Sequence, residues 1–312
     1  MPELQVGERR LPIEPGRNLL DALHEAGVAI PYSCRAGSCH ACLVRCIRGE
    51  PQDDKPEALA AARREQGWRL ACQCRLVEDL QVEVFDPLKD GLPALIHSCD
   101  WLSPDVLRLR LLPEQPLRYR AGQHLVLWTQ SGVARPYSLA SLPGEDPWLE
   151  FHLDCRQPGA FSDAARHFVR GQPLRLGELR GGALHYDLDW QNRPLWLLAA
   201  GTGIAPLYAV LREALREEHR GEIRVLHLAR DSAEHYLAAE LRQLAAAHSQ
   251  VRVELLCAAE LPAALAQLKL VSRQTLALLC GSPNNVESFT RRLYLAGMPR
   301  NQMFSDLFLP HA

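Results

Sequence analysis

Short apolar segments separated by polar turns characterise the first ninety residues. Asn18 is a suitable N-cap for an amphipathic helix, and Gly27 is placed to end that helix. A helix laid across two hairpins is typical of the β-grasp fold, which this pattern therefore predicts. The predicted elements are strands at 4–6, 9–13, 43–47 and 80–85, a strand carrying Cys72, a helix at 18–27 and a helix-like segment at 57–66.

Two further patterns follow the first ninety residues. Residues 86–93 contain two prolines, one glycine and three charged side chains, which predicts a linker. Between 96 and 189 short alternating segments, such as 106–111 and 124–128, are separated by regular turn signals. This spacing indicates an antiparallel barrel, interrupted by one helix near 162–169.

After residue 192, apolar runs of strand length alternate with long helical patterns. Such alternation indicates βαβ units and a parallel sheet that is buried on both faces. The run 195–211 carries no charge, but it is shorter than the roughly 20 residues of a membrane span and contains glycines and a proline. The predicted strands are 195–200, 223–228, 251–257 and 276–280, and the predicted helices are 206–218 and 233–247.

Together these patterns predict a multidomain α+β and α/β protein. A length of 312 residues accommodates three domains. We predict an N-terminal β-grasp domain at 1–90, an antiparallel β-barrel domain at 93–190 and a parallel-sheet, Rossmann-like domain at 191–312.

Composition narrows the class of protein. The chain is 47% hydrophobic and 23% charged, which is ordinary for a globular protein, and its net charge is −2. Because no basic cluster with interleaved aromatic residues is present, we expect no nucleic-acid partner. The N-terminus lacks a basic region followed by an apolar core, so we expect a cytoplasmic protein. We also expect a monomer without a membrane span.

The cysteines provide the strongest chemical signal. Cys34, Cys39 and Cys42 have C-x4-C-x2-C spacing in a short glycine-containing loop, and Cys72 follows at a distance. Four thiolates in this arrangement hold plant-type [2Fe–2S] clusters. A zinc site would favour two C-x2-C pairs or added histidines, and disulfides are not expected in a chain without an export signal. Cys74 is the alternative to Cys72 as the fourth ligand.

Two loops of the C-terminal region have the features of a nucleotide site. The first joins an apolar strand to a helix, where glycines let the backbone approach a pyrophosphate and the helix N-terminus offers free N–H groups. The second follows another strand, and the carboxyl ends of parallel strands face one crevice. The candidate residues are Gly201, Thr202, Gly203 and Pro206 of the first loop, with Pro206 as the first helical residue, and Cys280 and Gly281 of the second.

The predicted barrel contains a candidate flavin site. Arg135 can clamp a pyrophosphate, Tyr137 can stack on an isoalloxazine ring, and the Ser138 hydroxyl can hydrogen-bond a flavin nitrogen. Gly159 and Ser162 open a helix and would supply backbone N–H groups to the same pyrophosphate. The two motifs together are far more specific than either alone.

Over essentially all 312 residues the chain resembles the iron–sulfur flavoprotein reductases of the ferredoxin–NADP reductase superfamily. The architecture is similar to the reductase components of bacterial ring-hydroxylating dioxygenases, phenol hydroxylases and methane monooxygenase. The residues that carry the resemblance are Cys34-x4-Cys39-x2-Cys42, Leu70-Ala71-Cys72-Gln73, Arg135-Pro136-Tyr137-Ser138, Gly159-x-x-Ser162, Gly201-Thr202-Gly203-x-x-Pro206 and Cys280-Gly281-x-Pro283.

The resemblance implies one cofactor for each domain. It implies a [2Fe–2S] cluster in the first, FAD in the barrel and NADH or NADPH in the last. The Leu-Ala-Cys-Gln motif favours Cys72 over Cys74 as a ligand. His40 departs from the small residue of many relatives and is interpreted as a surface residue, while Cys46 and Cys74 are additional thiols. The terminal tyrosine of plant-type reductases is absent, and Phe308 is our candidate for the residue that covers the flavin.

The implied function is electron transfer from NAD(P)H through FAD and the cluster to a partner oxygenase or another redox protein. We expect Ser138 to hydrogen-bond the flavin, and Thr202 and Cys280 to orient the nicotinamide. Arg230 could bind a 2′-phosphate, but the adjacent Asp231 would repel it, which favours NADH.

Two alternatives remain open from the sequence. One is a self-sufficient reductase of a small acceptor, such as a ferric chelate, a quinone or a deoxysugar intermediate. The other is a redox-sensing cluster protein, against which the intact flavin and nucleotide motifs argue.

Overall fold

A computed structural model describes residues 1–181 and 183–309 of the chain. Most of the regular structure lies in three sheets and the helices that cover them. The α-helices are α1 (Leu19–Glu25), α2 (Ala61–Glu65), α3 (Pro87–Asp90), α4 (Ala160–Ala165), α5 (Ile204–Arg216), α6 (Ala238–Ala247), α7 (Leu261–Gln267) and α8 (Pro283–Leu295).

The N-terminal region contains a five-stranded mixed sheet and a separate two-stranded sheet. Its strands are β1 (Glu3–Val6), β2 (Arg9–Pro12), β3 (Leu43–Arg48), β4 (Gln52–Asp53), β5 (Trp68–Leu70), β6 (Cys74–Arg75) and β7 (Leu80–Val84). The large sheet has the order β2-β1-β7-β3-β5, with β1 and β7 parallel. The Asn18 side chain accepts the N–H groups of Leu20 and Asp21, which confirms the predicted cap of α1.

The predicted linker is more regular than its composition suggests. Asp86 caps α3 by accepting the N–H of Leu88, and Pro87 occupies the first helical position, where it needs no hydrogen-bond acceptor. Leu92 already begins the next strand. Proline and charge therefore mark a helical turn here instead of an irregular connection.

A six-stranded sheet follows. Its strands are β8 (Leu92–Trp101), β9 (Val106–Pro113), β10 (His124–Trp128), β11 (Ala134–Ser138), β12 (Leu149–Asp154) and β13 (Pro173–Arg180). The strand order is β11-β10-β13-β8-β9-β12. Leu139, which follows β11, makes an antiparallel bridge to Phe151 of β12. The two ends of the strand order therefore meet, as a barrel requires.

The C-terminal region forms an all-parallel sheet. Its strands are β14 (Leu195–Ala200), β15 (Ile223–Ala229), β16 (Val251–Cys257), β17 (Leu276–Gly281) and β18 (Met303–Leu307), in the order β16-β15-β14-β17-β18. Every residue of β14 and β17 is buried, as expected for central strands covered on both faces. The edge strand β18 is only half-buried and lacks a long apolar run, and the sequence analysis missed it.

The residues form two compact units by their contacts. The first comprises 1–93, 125–136 and 174–180, and the second comprises 94–124, 137–173 and the described residues from 181 onward. The boundaries of the three predicted domains stay predictions. No helix in the described ranges is long and apolar enough to cross a membrane.

Candidate functional site

The cysteine loop gathers backbone donors around one sulfur. The Sγ atom of Cys34 accepts the N–H groups of Ala36, Ser38 and Cys39, each at 3.3 Å. Such donors stabilise a thiolate, the form in which cysteine binds metal. The loop is therefore preorganised around anionic sulfur.

Gly37 allows the loop its turn. Its φ is +78°, and an added Cβ would lie 3.2 Å from Cγ of Gln73 and 3.3 Å from Cβ of Ala58. Gln73 in turn donates from Nε2 to the Arg35 carbonyl at 2.9 Å and to the Cys72 Sγ at 3.2 Å. The chain that carries Cys72 is thus bound directly to the loop.

The four candidate ligands meet as two pairs. The Cys39 thiol donates a hydrogen bond to the sulfur of Cys34, and the Cys42 thiol donates one to the sulfur of Cys72. The bond with Cys39 lowers the pKa of Cys34, and the bond with Cys42 lowers the pKa of Cys72, in both cases against the opposing effect of burial. Each pair thus contains one thiol that favours the thiolate.

This donor set fits a [2Fe–2S] cluster. The cluster has two irons, each held by two of the four cysteines, so the ligands need not converge on one point. Within the described ranges no three His, Cys, Asp or Glu side chains surround a single ion position. Two thiol pairs with backbone donors nearby are what a two-iron cluster requires.

Cys74 lies in a different environment from Cys72. The Cys74 side chain is fully buried in the apolar core, and burial raises its pKa. Cys72 is half-buried, and its sulfur accepts a hydrogen bond from the Cys42 thiol. Burial likewise raises the pKa of Cys46, to about 11. The environments favour Cys72 as ligand, an assignment that stays a prediction.

The interpretation of His40 as a surface residue is wrong. Its side chain is only 3% exposed, and its Nδ1 lies 3.6 Å from Oε2 of Glu178 in β13. Glu178 also forms ion pairs with Arg63 and Arg180. Sequence reasoning missed Glu178, because nothing local in β13 indicates that it meets a loop far away in the chain.

The flavin motif lies on β11 and at the start of α4. Arg135 is half-buried, donates to the Ala134 carbonyl at 2.7 Å and makes no salt bridge with a described residue, so its charge is available to an anion. The Tyr137 ring packs on Phe161 with 5.1 Å between centroids, and Ser138 is buried. These features fit FAD.

Gly159 and Ser162 are placed as predicted at the start of α4. Gly159 is the N-cap of the helix, and Ser162 is buried. The Ser162 hydroxyl donates to the carbonyls of Gln157 and Gly159, at 2.9 and 3.1 Å. The hydroxyl therefore shapes the loop, while the first backbone N–H groups of α4 have no partner within the helix.

The two candidate nucleotide loops pack backbone against backbone. An added Cβ on Gly203 would lie 2.4 Å from the Cys280 carbonyl oxygen, and one on Gly281 would lie 2.8 Å from Cβ of Ala200. Gly201 has a φ of +56° with open space at its Cβ position, which leaves room for a ligand to approach the backbone. The structure thus brings the predicted loops together, with Thr202 half-buried between the two glycines.

Two expectations about these loops need qualification. Pro206 is the third residue of α5, not the first, because a 3₁₀ turn at Gly201–Gly203 leads directly into the helix. It still lies in the first turn, where N–H groups lack intrahelical acceptors. The Cys280 thiol is fully buried, which raises its pKa, so it would act through packing and not as a thiolate.

Buried histidines near these loops were missed. His227 on β15 has no exposed surface and bonds through Nε2 to the Gly201 carbonyl at 3.0 Å. His152 on β12 bonds through Nδ1 to the Tyr236 hydroxyl at 3.2 Å and through Nε2 to Glu150 at 2.9 Å. A histidine inside an apolar run, as in Val225–Ala229, is the signal that could have found His227.

The remaining candidates lie near the ends of β15 and β18. Arg230 is exposed and forms ion pairs with Asp231, at 3.7 Å, and with Glu234. Phe308 is half-buried, and its N–H donates to the Gly281 carbonyl at 2.8 Å. The tail of the chain thus borders the second nucleotide loop.

Two protein families match separate parts of the chain, and relatives match most of its length. Residues 4–77 match the 2Fe-2S iron-sulfur cluster binding domain, and residues 197–266 match the oxidoreductase NAD-binding domain. The chain is 30% identical to the ferredoxin–NAD(P)+ reductase component of the naphthalene 1,2-dioxygenase system of Pseudomonas putida, covering 98% of each protein. It is 33% identical to the reductase subunit of an aromatic O-demethylase of Amycolatopsis sp., covering 80% of this chain and 78% of that protein.

Solved structures agree with these relatives. An Amycolatopsis cytochrome P450 reductase is 27% identical, with a TM-score of 0.66 and 99% of both chains covered. The ferredoxin reductase of a carbazole 1,9a-dioxygenase system has the same fold, with 22% identity, a TM-score of 0.65 and coverage of 99% of this chain and 98% of that one.

Proposed function

The chain belongs to the ferredoxin–NAD(P)+ reductase components of bacterial oxygenase systems, and we propose that it supplies electrons from NAD(P)H to a partner oxygenase. The protein is an oxidoreductase that uses NAD(P)H, FAD and a [2Fe–2S] cluster. When bound, FAD would supply the chemistry that links a two-electron hydride donor to a one-electron acceptor. One NAD(P)H would therefore reduce two one-electron acceptors and release one proton.

One observation carries the proposal: a preorganised four-cysteine site and a two-loop nucleotide crevice occur in one polypeptide. Each part would bind its group through residues already described. The cluster ligands would be Cys34, Cys39, Cys42 and Cys72; the FAD ligands Arg135, Tyr137, Ser138, Gly159 and Ser162; and the nucleotide ligands Gly201, Thr202, Gly203, Pro206, Arg230, Cys280 and Gly281.

Three residues would orient the reacting groups. The buried Ser138 would hold the flavin by a hydrogen bond. Thr202 would contact the nicotinamide, and the buried Cys280 would shape the floor of its pocket. Phe308, whose backbone N–H donates a hydrogen bond to the Gly281 carbonyl, would cover the flavin and exclude water from it.

NADH is the proposed nucleotide. A 2′-phosphate needs an uncompensated cation, but the Arg230 charge is balanced by Asp231 and Glu234. Steady-state kcat/KM with each nucleotide tests this preference, and a higher value with NADPH would contradict it.

The split of roles can be tested with Cys42→Ser. This variant should keep NADH-dependent ferricyanide reduction, which needs only flavin, and lose cytochrome c reduction, which needs the cluster. Equal loss of both activities would refute the proposal. The expected monomeric state can be measured on the same preparation by sedimentation.

A further inference from the structure

We propose that Glu178 is a positioning residue for electron passage into the iron–sulfur site, holding the cysteine loop through His40 and helix α2 through Arg63. The inference rests on the proposed function, because it concerns the step between flavin and cluster. It assigns a role to a carboxylate outside every cofactor motif of the sequence.

Glu178 lies on β13, and three cationic or polar side chains surround its carboxylate. Its side chain is only 10% exposed, its Oε2 lies 3.6 Å from Nδ1 of His40, and it forms ion pairs with Arg63 and Arg180. Arg63 also lies over the Trp68 ring, 5.5 Å from its centroid. The carboxylate thus contacts a loop residue, a helix residue and a residue of its own strand.

These contacts keep Glu178 ionised. Burial alone would raise its pKa, but the nearby His40 imidazole and the ion pairs with Arg180 and Arg63 outweigh burial and lower the pKa to about 2. A buried charge that loses its partners is strongly destabilising, so the cluster of side chains is held together as a group.

His40 is the point at which this group reaches the cysteine loop. It lies between Cys39 and Cys42 and has a φ of +56°, a left-handed conformation uncommon outside glycine. Such a conformation persists only where the surroundings enforce it. The nearby Glu178 carboxylate and the burial of the imidazole are the surroundings available here.

The rest of the same compact unit supports a fixed placement. Phe85 stacks on Trp128 of β10 with 5.4 Å between ring centroids. Trp128 belongs to one apolar core with Cys39 and Cys42. Residues 1–93 form a single unit with strand segments 125–136 and 174–180, so the cysteine loop is built onto these strands and is not merely tethered by the segment 86–93.

Positioning matters because the rate of electron transfer between two cofactors falls steeply with the distance between them. Glu178→Gln removes the charge and keeps the shape. We expect NADH-dependent ferricyanide reduction and the KM for NADH to change less than about twofold. Cytochrome c reduction should fall severalfold, because the cysteine loop is no longer held in place. In anaerobic rapid mixing with NADH, flavin bleaching should keep its rate while the signal of the reduced cluster appears more slowly.

A readout independent of turnover is hydrogen exchange of the loop. Exchange of the Ala36, Ser38 and Cys39 amides in the oxidised holoprotein should become faster in Glu178→Gln. His40→Gly gives a second variant, because glycine accepts the left-handed backbone while the imidazole is lost. Arg10→Gln, which removes an exposed ion pair with Glu3 at 3.7 Å, is the control and should change neither readout.

The outcomes separate the two proposals. If wild-type protein does not reduce ferricyanide with NADH, the proposed function fails. If it does, but Glu178→Gln and His40→Gly lower both activities equally or neither, the positioning role is overturned. Should Glu178→Gln lose its cofactors, His40→Gly decides: selective loss of cytochrome c reduction with faster loop exchange supports the role, and any other result rejects it.

Discussion

His227 donates a hydrogen bond from Nε2 to the carbonyl oxygen of Gly201, 3.0 Å away. His227 lies on β15, and Gly201 follows the adjacent parallel strand β14. Burial lowers the pKa of this imidazole to about 4, so the ring is neutral at physiological pH and the bonded nitrogen carries its one proton. The first glycine of the nucleotide loop is thus held by a side chain from the neighbouring strand.

Removing this bond should weaken nucleotide binding. We expect His227→Leu to raise the KM for NADH about fivefold, the equivalent of about 1 kcal/mol for one hydrogen bond, with little change in kcat. His227→Gln can still donate to the carbonyl and should restore most of the loss. Steady-state kinetics with ferricyanide measures both variants. A fall in kcat without a change in KM would contradict this role.

The same histidine should make stability depend on pH. Its pKa in the folded protein, about 4, is below the ordinary 6.5, so between these values the unfolded chain binds more protons. Unfolding is therefore favoured as pH falls from 6.5 towards 4. Lowering the pH from 6.5 to 5 should reduce the free energy of unfolding by about 1.5 kcal/mol through this residue. Urea unfolding at both pH values should show a smaller loss in His227→Gln, and equal losses would argue against it.

Two neighbouring cysteines should respond differently to serine. Cys72→Ser should lose most of the iron and the visible absorption of the cluster, while the flavin absorption stays, because the variant lacks a thiol paired with Cys42. Cys74→Ser should keep iron and sulfide but unfold at a lower temperature, since it buries a hydroxyl in an apolar core at a cost of about 1–3 kcal/mol. Iron analysis and thermal melts separate the two. Loss of iron in Cys74→Ser alone would reverse the ligand assignment.

Nucleotide preference should shift when the Arg230 charge is released. Asp231→Ser removes one of its two carboxylate neighbours, and serine can still cap the turn by accepting the Ala233 N–H. We expect the ratio of kcat/KM for NADPH to that for NADH to rise about tenfold, since about 1.4 kcal/mol of phosphate attraction is gained. Asp231→Glu keeps the charge and serves as the control. If the ratio of kcat/KM values does not change in Asp231→Ser, Arg230 does not face the 2′ position of the bound nucleotide.

Features that depend on a few adjacent residues could be predicted from the sequence. The spacing of Cys34, Cys39 and Cys42 within one short loop is enough to predict an iron–sulfur site. Asn18 likewise caps α1 with its own side chain, so the start of that helix could be predicted from the residues beside it. The glycines of the two nucleotide loops also had a local signature, and their close approach at Gly203 and Cys280 follows from adjacent parallel strands.

Features that depend on distant packing could not be predicted. His40 lies in an exposed-looking polar loop, yet its imidazole is buried, with Nδ1 3.6 Å from Oε2 of Glu178. The edge strand β18 has no continuous apolar run because one side of it is open, so periodicity does not reveal it. Local pattern gives no access to partners more than a hundred positions away.

Trp128 and its neighbours Val126 and Ala134 complete the apolar core that contains Leu4, Leu20 and Val82. The iron–sulfur portion therefore lacks part of its own interior when it is considered without the barrel strands. Residues 1–90 are therefore not expected to fold when they are transferred alone. Grafted onto another flavoprotein, they should fold only if the recipient offers an aromatic side chain against which Phe85 can stack.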